Sequence, residues 1–554
     1  MMHDDPHSTR TIYAEPLRWQ LGRQRRRFYW KSPPRKLFAV LATVGFLAAA
    51  CSSSPSTKSA ANTATAGSSS STAVSAKTTG APSTLVIDED QAPATLDPAL
   101  QYNTESYTVY RNIFDQLVMR DPSTNKIVPW IATSWSTPNP TTWVFQIKQG
   151  VKFSDGTPLT GNDVAFSINR ILDPSLNSPQ FANFSYISSA VGTTSTVTVT
   201  TKTPSPTLLT YMTTLSIVPQ AYVQKVGNAA FNLHPIGSGP YTLLSWVQGS
   251  SVTLVANPSY WAGTPPYAKV VFNSVPSDAT RLANIESGQA NIALQLTPDD
   301  AVQLKSSSTA KVIASPTERV AYLGLNVLGN TPTKSLDVRQ AIAYAINYPA
   351  LINSLLSGYA KPVKEVLTPA SFGYTTAVAG YTYNPAKAKS LLAASGNPHP
   401  VLSFATSPSY PTAVIEAIQA NLQAVGMTVN IVNTDQATYL KDVQSPSHNW
   451  GSVRYGIWSC SCEDADGTIY PLFHTGSIWS SYSNPAFDAL VNAARSTLDT
   501  TTRLADYQKA FQILQADVPG IGLWQYYSIR AVSKQITWDP GPQQTLFVDQ
   551  IHWG

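Results

Sequence analysis

The residues best suited to chemistry lie over 454–473, in the sequence RYGIWSCSCEDADGTIYPLF. Two cysteines one residue apart are followed by three carboxylates, a set that could bind a metal ion. A calcium loop beginning at Cys462 would place Asp464 and Asp466 at its third and fifth positions. Its first position would then be a cysteine and its twelfth Phe473, so two essential carboxylates are missing. The sequence therefore argues against a calcium site.

The two cysteines raise zinc binding and disulfide formation as alternatives. Cys460 and Cys462 are closer in sequence than the usual zinc pair, and the nearest histidines, His448 and His474, are each twelve residues away. In an extended strand the Cα atoms of alternate residues are about 6.5 Å apart, at the long limit for a disulfide, so a tight turn would be needed. An oxidising exterior favours the disulfide. A disulfide and two free thiols both remain open.

No familiar catalytic motif accompanies these residues. The sequence lacks H-E-x-x-H, G-x-S-x-G and the P-loop pattern. Separated Ser, His and Asp residues can still converge in space, so an exported hydrolase remains an alternative. We expect a protein that binds a molecule rather than transforming one, and we expect no metal and no cofactor.

The basic charge of the chain belongs to its first residues. The formal net charge is +5, but residues 1–36 hold nine Lys/Arg and three Asp/Glu, so the remainder is close to neutral. This distribution argues against a nucleic-acid partner. The apolar run LFAVLATVGFLAAA over 37–50 has 14 residues, too few to span a bilayer comfortably. A charged region, an apolar region and small residues together predict a signal peptide over 1–50.

The sequence AAAC over 48–51 is similar to the lipobox of bacterial lipoproteins, with Ala48 in place of the usual Leu. It predicts cleavage before Cys51 and a diacylglycerol on its thiol. An ordinary secretory signal with an incidental cysteine is the alternative. Residues 51–83 are rich in Ser, Thr, Ala, Gly and Pro and predict a disordered tether. We expect a protein anchored to the outer face of the cytoplasmic membrane, or a periplasmic one.

Strand and helix signals alternate beyond residue 84, which predicts a mixed α/β fold. The clearest signals are helix caps and periodic apolar residues. They predict helices over 104–117, after a Thr160–Asp163 capping box, over 338–346, from Pro385 to Gly396 and from Pro485, strands over 143–148 and 195–202, and a helix–turn–strand unit over 412–432. Such a unit builds a parallel sheet, whose carboxyl-end crevices receive ligands.

Several ordered segments carry a family resemblance. They are YRNIFDQLV (110–118), GVKFSDGTPLTGNDVAFSINRIL (150–172), PIGSGPYTLLSW (235–246), NPSYWAG (257–263), YLGLNV (322–327), LDVRQAIAYAIN (336–347), YNPAKAKSLLAASG (383–396) and SNPAFDALV (483–491). In this order they resemble the family 5 extracellular solute-binding proteins of ABC importers, the dipeptide, oligopeptide and nickel group. The resemblance covers nearly all of residues 84–554.

The resemblance implies a two-lobed, periplasmic-binding-protein-like α/β fold of type II, cluster C, with an extra subdomain on lobe I. The implied division is lobe I over 84–122, 231–326 and 518–554, the extra subdomain over 123–230, and lobe III over 327–517. The segments 322–327 and 521–527 would form the hinge, and closure of the lobes would bury the solute.

The resemblance also implies where the solute lies. In the family a strand after the helix–turn–strand unit lines the cleft, and its backbone can pair with an extended peptide. The matching residues here are Gly456, Ile457, Trp458, Ser459, Cys460 and Ser461. Peptide-binding members have an Asp three residues after the Trp, which binds the ligand ammonium, where this chain has Ser461. Glu463 or Asp464 would have to replace that Asp, or the solute would be neutral, because a buried ammonium needs a counter-charge.

The opposing wall of the implied cleft comes from lobe I. Tyr102, Asn103 and Thr104 form the turn before the first predicted helix, with Thr104 as a candidate N-cap. Trp479 and Tyr482 precede another helix cap and could either stack on a ligand or pack in the core.

The resemblance therefore predicts a lipid-anchored solute receptor of an ABC importer. Its partners would be a peptide or another small polar solute, the ABC permease subunits, and the membrane through the lipid on Cys51. We expect a monomer. A sensor or peptide-holding protein on the same fold, not coupled to transport, is the main alternative.

Overall fold

The structure is a computed structural model that describes residues 82–101, 103–541 and 546–554. The predicted signal peptide, Cys51, most of the predicted tether and Tyr102 lie outside the described residues. The described part belongs to one compact unit, Lys77–Gly554.

Nineteen β-strands occur among the described residues. In chain order they are β1 (Thr84–Glu89), β2 (Val118–Arg120), β3 (Ile127–Pro129), β4 (Ala132–Asn139), β5 (Thr142–Ile147), β6 (Ile187–Gly192), β7 (Thr196–Thr201), β8 (Tyr241–Val247), β9 (Ser251–Ala256), β10 (Lys269–Ser274), β11 (Ile292–Ala293), β12 (Ala310–Leu325), β13 (Ala360–Pro362), β14 (Val401–Thr406), β15 (Thr428–Asn433), β16 (Val453–Trp458), β17 (Gly520–Ser533), β18 (Ile536–Thr537) and β19 (His552–Trp553).

The same residues form fifteen α-helices. These are α1 (Thr104–Tyr110), α2 (Gly161–Leu172), α3 (Phe181–Phe184), α4 (Leu208–Met212), α5 (Gln220–Leu233), α6 (Asp278–Ser287), α7 (Pro298–Gln303), α8 (Leu336–Ala345), α9 (Tyr348–Leu355), α10 (Pro385–Ala394), α11 (Thr412–Gln423), α12 (Gln436–Val443), α13 (Asp466–Phe473), α14 (Pro485–Arg495) and α15 (Thr500–Asp517). Within the described ranges, none of the helices has both the length and the apolar character needed to cross a bilayer.

One large mixed sheet runs through the molecule in the order β15-β14-β16-β12-β17-β11-β1-β10-β9-β8, with β13 paired to β17. Its long central strands β12 and β17 are antiparallel to each other. On one side β12 also pairs with β16, and on the other β17 pairs with β11, so these two strands join both halves of the sheet. Their register shifts between Pro316 and Val320, just before the segment predicted as a hinge over 322–327.

The halves of the sheet have separate hydrophobic cores. One core packs β1, α1 and β8–β10 together and includes Leu85, Phe114 and Phe272. A second packs α8, α11 and β14–β16 and includes Ile342, Leu402 and Tyr455. A third lies between α2 and a four-stranded sheet of order β4-β5-β7-β6, with Ile168, Phe145 and Val197 in its interior. Each region therefore buries apolar surface of its own, which compact lobes need.

Helix caps place several predicted elements as expected. The Thr160 backbone N–H and hydroxyl each donate to Asp163 Oδ2 at 2.9 Å, and α2 begins at the next residue. Asn384 and Asn484 cap α10 and α14 through their side-chain oxygens. The helix–turn–strand unit is α11 followed by β15, and β15 lies parallel to β14.

The first helix differs from the prediction. α1 ends at Tyr110 instead of continuing to residue 117, and its N-cap is Asn103 rather than Thr104. Asn103 Oδ1 accepts the backbone N–H of Ser106 at 3.2 Å. The helix stops because the carbonyls of Asn112 and Ile113 accept backbone N–H groups of residues 241 and 239 at 3.0 and 2.9 Å, which a continuing helix would not allow.

Candidate functional site

A cavity of about 690 Å³ lies where α1 and β12 face the segment that follows β16. One side, which we call the helix wall, consists of the lining residues Asn103, Thr104, Glu105, Tyr107 and Arg111 together with Glu318 and Arg319 on β12. The other side, the loop wall, consists of the lining residues Trp458, Ser459, Cys460, Ser461, Glu463, Asp466, Gly467, Tyr470 and Pro471. Residues of α3 and α4, including Tyr211, close one end, and Arg495 of α14 adds to the loop side.

The strand β16 delivers the loop wall to the cavity. It pairs antiparallel with β12 from Val453 to Trp458, and Trp458 is its last residue. Gly456 lies opposite Tyr322, and a Cβ atom at Gly456 would be 2.5 Å from the Tyr322 ring. Glycine is therefore needed for the buried tyrosine, and the cavity begins only where the strand ends.

The indole of Trp458 is held by a backbone carbonyl that a proline leaves without its helical donor. Pro471 lies inside α13 and has no N–H, so it cannot donate to the carbonyl of Gly467 four residues earlier. The Trp458 Nε1–H donates to this carbonyl instead, at 2.9 Å. Trp479 packs edge-on against the Trp458 ring, with ring centroids 5.5 Å apart. Trp479 thus supports Trp458 from behind and does not line the cavity itself.

Cys460 and Cys462 form a disulfide on the loop wall. Their Cα atoms are 5.0 Å apart, so the chain makes the tight turn that the spacing requires. Cys460 lines the cavity, and its Sγ lies 3.8 Å from the Tyr211 hydroxyl, whereas Cys462 is 1% exposed. Both sulfur atoms rest against Gly467, where an added Cβ would come within 2.2–2.3 Å of them. The start of α13 and the disulfide are therefore fitted to each other.

The first candidate for the missing ammonium ligand, Asp464, is paired with an arginine outside the cavity. It is 4% exposed and does not line the cavity. Arg503 Nη2 donates to its two carboxylate oxygens at 2.8 and 2.9 Å. Arg503 also donates through Nε to the Ala494 carbonyl and lies over the Phe372 ring. Asp464 is therefore half of a buried structural ion pair.

The second candidate, Glu463, does line the cavity, but it is also paired. Arg120 Nη1 lies 3.3 Å from Glu463 Oε2, and the two side chains are 8% and 2% exposed. The amide of Asn125 donates to the same carboxylate oxygen. Arg120 and Asn125 flank the turn between β2 and β3, so this contact joins the loop wall to a distant part of the chain. We call it the Arg120–Glu463 clamp.

Asp466, at the start of α13, also lies on the loop wall. Arg495 Nε is 3.1 Å from Asp466 Oδ1, and the Arg495 guanidinium lies 3.7 Å from the centroid of the Tyr470 ring. Burial raises the pKa of Asp466 to about 6, although the Arg495 charge opposes that shift. All three acids of the loop wall region thus have a basic partner.

The helix wall has a different charge pattern. The Arg111 guanidinium lies 4.4 Å from the centroid of the Tyr107 ring. Glu105, in the first turn of α1, is half-buried, and Arg319 on β12 is exposed. Neither Glu105 nor Arg319 forms an ion pair with any residue that the structure describes.

The structure brings together six of the predicted site residues. Those that line the cavity are Asn103, Thr104, Trp458, Ser459, Cys460 and Ser461. Gly456, Ile457, Asp464, Trp479 and Tyr482 do not line it. Tyr482 is 3% exposed and its hydroxyl donates to Asp517, which makes it a core residue. Tyr102 lies outside the described residues, so its predicted role remains a prediction.

No sequence motif indicated the other residues that line the cavity. They are chiefly Glu105, Tyr107, Arg111, Tyr211, Arg319, Tyr470 and Arg495. Glu105 directly follows a predicted site residue, and Arg319 lies three positions before the first residue of the YLGLNV segment, so proximity alone could have indicated them. As for metals, no group of three or more His, Cys, Asp or Glu residues in the described ranges is arranged to hold an ion.

The fold is that of a two-lobed periplasmic binding protein. HbpA2 from Haemophilus parasuis superposes with a TM-score of 0.79 at 23% identity, over 85% of this chain and 100% of that one. DppA from Helicobacter pylori, solved in complex with the peptide STSA, gives a TM-score of 0.68 at 25% identity, over 85% and 98% of the two chains. The predicted fold class is confirmed.

The sequence comparisons agree. The family model described as bacterial extracellular solute-binding proteins, family 5 Middle, matches residues 126–480. The glutathione-binding protein GsiB of Pectobacterium atrosepticum is 30% identical over 470 residues, which cover 82% of this chain and 90% of GsiB. The chain belongs to the family 5 extracellular solute-binding proteins, as the sequence resemblance predicted. It is therefore a solute-binding protein of the ABC-importer class and not an enzyme.

Proposed function

We propose that this protein is a lipid-anchored receptor that captures a peptide or another small polar solute and delivers it to the permease of an ABC importer. One observation carries the proposal, namely the cavity of about 690 Å³ between the helix wall and the loop wall. Its volume falls within the roughly 300–1,000 Å³ of small-molecule sites. Its lining combines aromatic rings, hydroxyl groups and charged side chains, which suits a small polar molecule.

The domain division supports capture by closure. We propose lobe I over 84–122, 231–326 and 518–554, an extra subdomain over 123–230, and lobe III over 327–517. The separate cores on the two sides of β12 and β17 support this division, except that residues 321–325 and 518–524 of the two crossing segments pack in the core of the lobe III side. Motion at the irregular pairing near Pro316–Val320 would let the walls approach each other around a solute.

The solute class follows from relatives and from the lining. One relative is named as glutathione-binding, and DppA was solved with a peptide. Both ligands are peptides with polar backbones and charged ends. The exposed Ser459 and Ser461 on the loop wall could donate and accept hydrogen bonds with such a backbone.

The anchor and the permease complete the proposal. Cys51, which lies outside the described residues, would carry the lipid, and the Ser/Thr-rich tether would let the receptor reach a permease in the same membrane. Metabolic labelling with a palmitate analogue tests this: the wild-type chain should be labelled and a Cys51→Ser variant should not. Equal labelling of both chains would contradict the anchor.

Native mass spectrometry of the full chain as purified tests capture directly. A trapped solute would add a discrete mass that disappears after unfolding and refolding. Adding the identified solute back should raise the unfolding free energy, by about 2.7 kcal/mol at 100 times the dissociation constant. A chain that carries no solute, and that no peptide or small polar solute stabilises, would contradict the proposed function.

A further inference from the structure

Seven carboxylate and guanidinium side chains line the cavity, and five of them already have an interaction partner. Glu463 pairs with Arg120, and Asp466 pairs with Arg495, itself a lining residue. Arg111 lies over Tyr107. Glu318 interacts electrostatically with the buried Arg530: burial lowers the pKa of this guanidinium, and the Glu318 charge raises it.

The other two are Glu105 and Arg319. Neither has an ion-pair partner in the part of the chain that the structure describes. Both line the cavity, one half-buried on α1 and one exposed on β12. Among the described residues, the cavity thus presents one negative and one positive charge without an ion-pair partner, and both lie on the helix wall.

We propose that the cavity selects zwitterionic solutes, with Glu105 binding the solute ammonium and Arg319 binding the solute carboxylate. This inference rests on the proposed function and specifies its substrate class. A solute that becomes enclosed loses water around its charged ends, so each end needs an opposite charge on the protein. A guanidinium is well suited to a carboxylate because it can donate two parallel hydrogen bonds.

The loop wall cannot easily supply the ammonium ligand. Ser461 has no charge, and Asp464 is buried against Arg503 outside the cavity. For Glu463 to bind a solute ammonium, it would have to leave the buried Arg120 uncompensated. Glu105 can bind the ammonium without breaking any ion pair of the described structure.

Matched peptides test the two roles separately. Titration calorimetry on the full chain would use trialanine, N-acetyl-trialanine, trialanine amide and glutathione. The wild-type chain should bind trialanine or glutathione and should bind the acetylated and amidated peptides more weakly, because each lacks one charge. Glu105→Gln should weaken binding of trialanine about 10- to 100-fold and leave binding of N-acetyl-trialanine unchanged.

The second variant gives the complementary pattern. Arg319→Gln should weaken trialanine binding by a similar factor and leave trialanine amide unchanged. The controls are Lys311→Gln, on the same strand as Arg319, and Glu416→Gln on α11. Both residues are exposed and neither lines the cavity, so both variants should bind like the wild type.

The outcomes separate this inference from the proposed function. If trialanine or glutathione binds and neither substitution changes its affinity, the assignment of Glu105 and Arg319 is wrong while solute binding stands. If neither zwitterion binds and the solute released from the purified chain is uncharged, zwitterion selection is wrong and solute binding again stands. If the wild-type chain binds no solute of any kind, the proposed function itself fails.

Discussion

The two walls of the cavity handle charge in opposite ways. On the loop wall, Glu463 and Asp466 are each compensated by an arginine from elsewhere in the chain. On the helix wall, Glu105 and Arg319 have no ion-pair partner among the described residues. Charges that are paired within the protein are not free to bind a ligand, whereas uncompensated charges at a cavity surface are suited to a charged ligand. The comparison therefore assigns a structural role to the loop wall acids and a binding role to the helix wall charges.

The largest effect is expected beneath the loop wall. Asp464→Asn should destabilise the protein by about 3–5 kcal/mol, because the 3% exposed Arg503 would keep its charge without a counter-charge. Chemical denaturation of solute-free protein measures this. Asp466→Asn, in a partly exposed pair, is the control and should cost far less. A loss below about 0.5 kcal/mol for Asp464→Asn would show that this pair is not structural.

The Arg120–Glu463 clamp should give the next largest effect. Glu463→Gln should cost about 1.5–3 kcal/mol of unfolding free energy, since it leaves the nearly buried Arg120 uncompensated. The variant Arg120→Met/Glu463→Met removes both charges and should recover part of that loss. A double-mutant cycle that shows no coupling between the two positions would contradict a stabilising contact between Arg120 and Glu463.

A steric test addresses the disulfide on the loop wall. Gly467→Ala should destabilise the chain by about 1–3 kcal/mol, because its Cβ would overlap both sulfur atoms. The same substitution in a Cys460→Ala/Cys462→Ala background should cost much less. Equal costs in the two backgrounds would mean that the sulfur atoms do not pack against Gly467.

The smallest expected effect is a dependence on pH. The pKa of Asp466 is raised to about 6, so between about pH 4 and 6 the folded state retains a proton that the unfolded state loses. Stability from this group is therefore present below pH 4 and is lost as the pH rises through 6. Asp466→Asn should flatten the stability profile in that window by up to about 1 kcal/mol, given the exposure of Arg495. An unchanged profile would assign the titration to other groups.

Local sequence signals predicted much of the fold. Capping boxes, Asn-Pro pairs and apolar periodicity act within a few residues, so α2, α10, α11 and α14 began where they were expected. The end of α1 was not predictable in this way. It depends on hydrogen bonds from the backbone N–H groups of residues 239 and 241 to carbonyls more than 120 positions earlier. A local sequence pattern does not predict such bonds.

In the candidate site, too, some features could be predicted from the sequence and others depend on distant residues. The position of Trp458 to Ser461 on the cavity wall could be inferred from the family, because it follows the order of the strands. The state of the neighbouring acids could not. Glu463 meets Arg120, and Asp464 meets Arg503, across 343 and 39 positions of sequence, and a one-dimensional pattern does not indicate such partners. The spacing of the two cysteines does not decide between a disulfide and free thiols for a related reason, since their geometry depends on a turn beside Gly467.

The bond from Trp458 to the Gly467 carbonyl has an optical consequence. It holds one indole at the cavity surface, in contact with the residue that both disulfide sulfur atoms touch. Indole emission shifts to shorter wavelength when water is excluded, and disulfides quench it by electron transfer. Solute entry should therefore shift the emission of Trp458 to shorter wavelength. Disulfide reduction should instead raise the intensity of that emission.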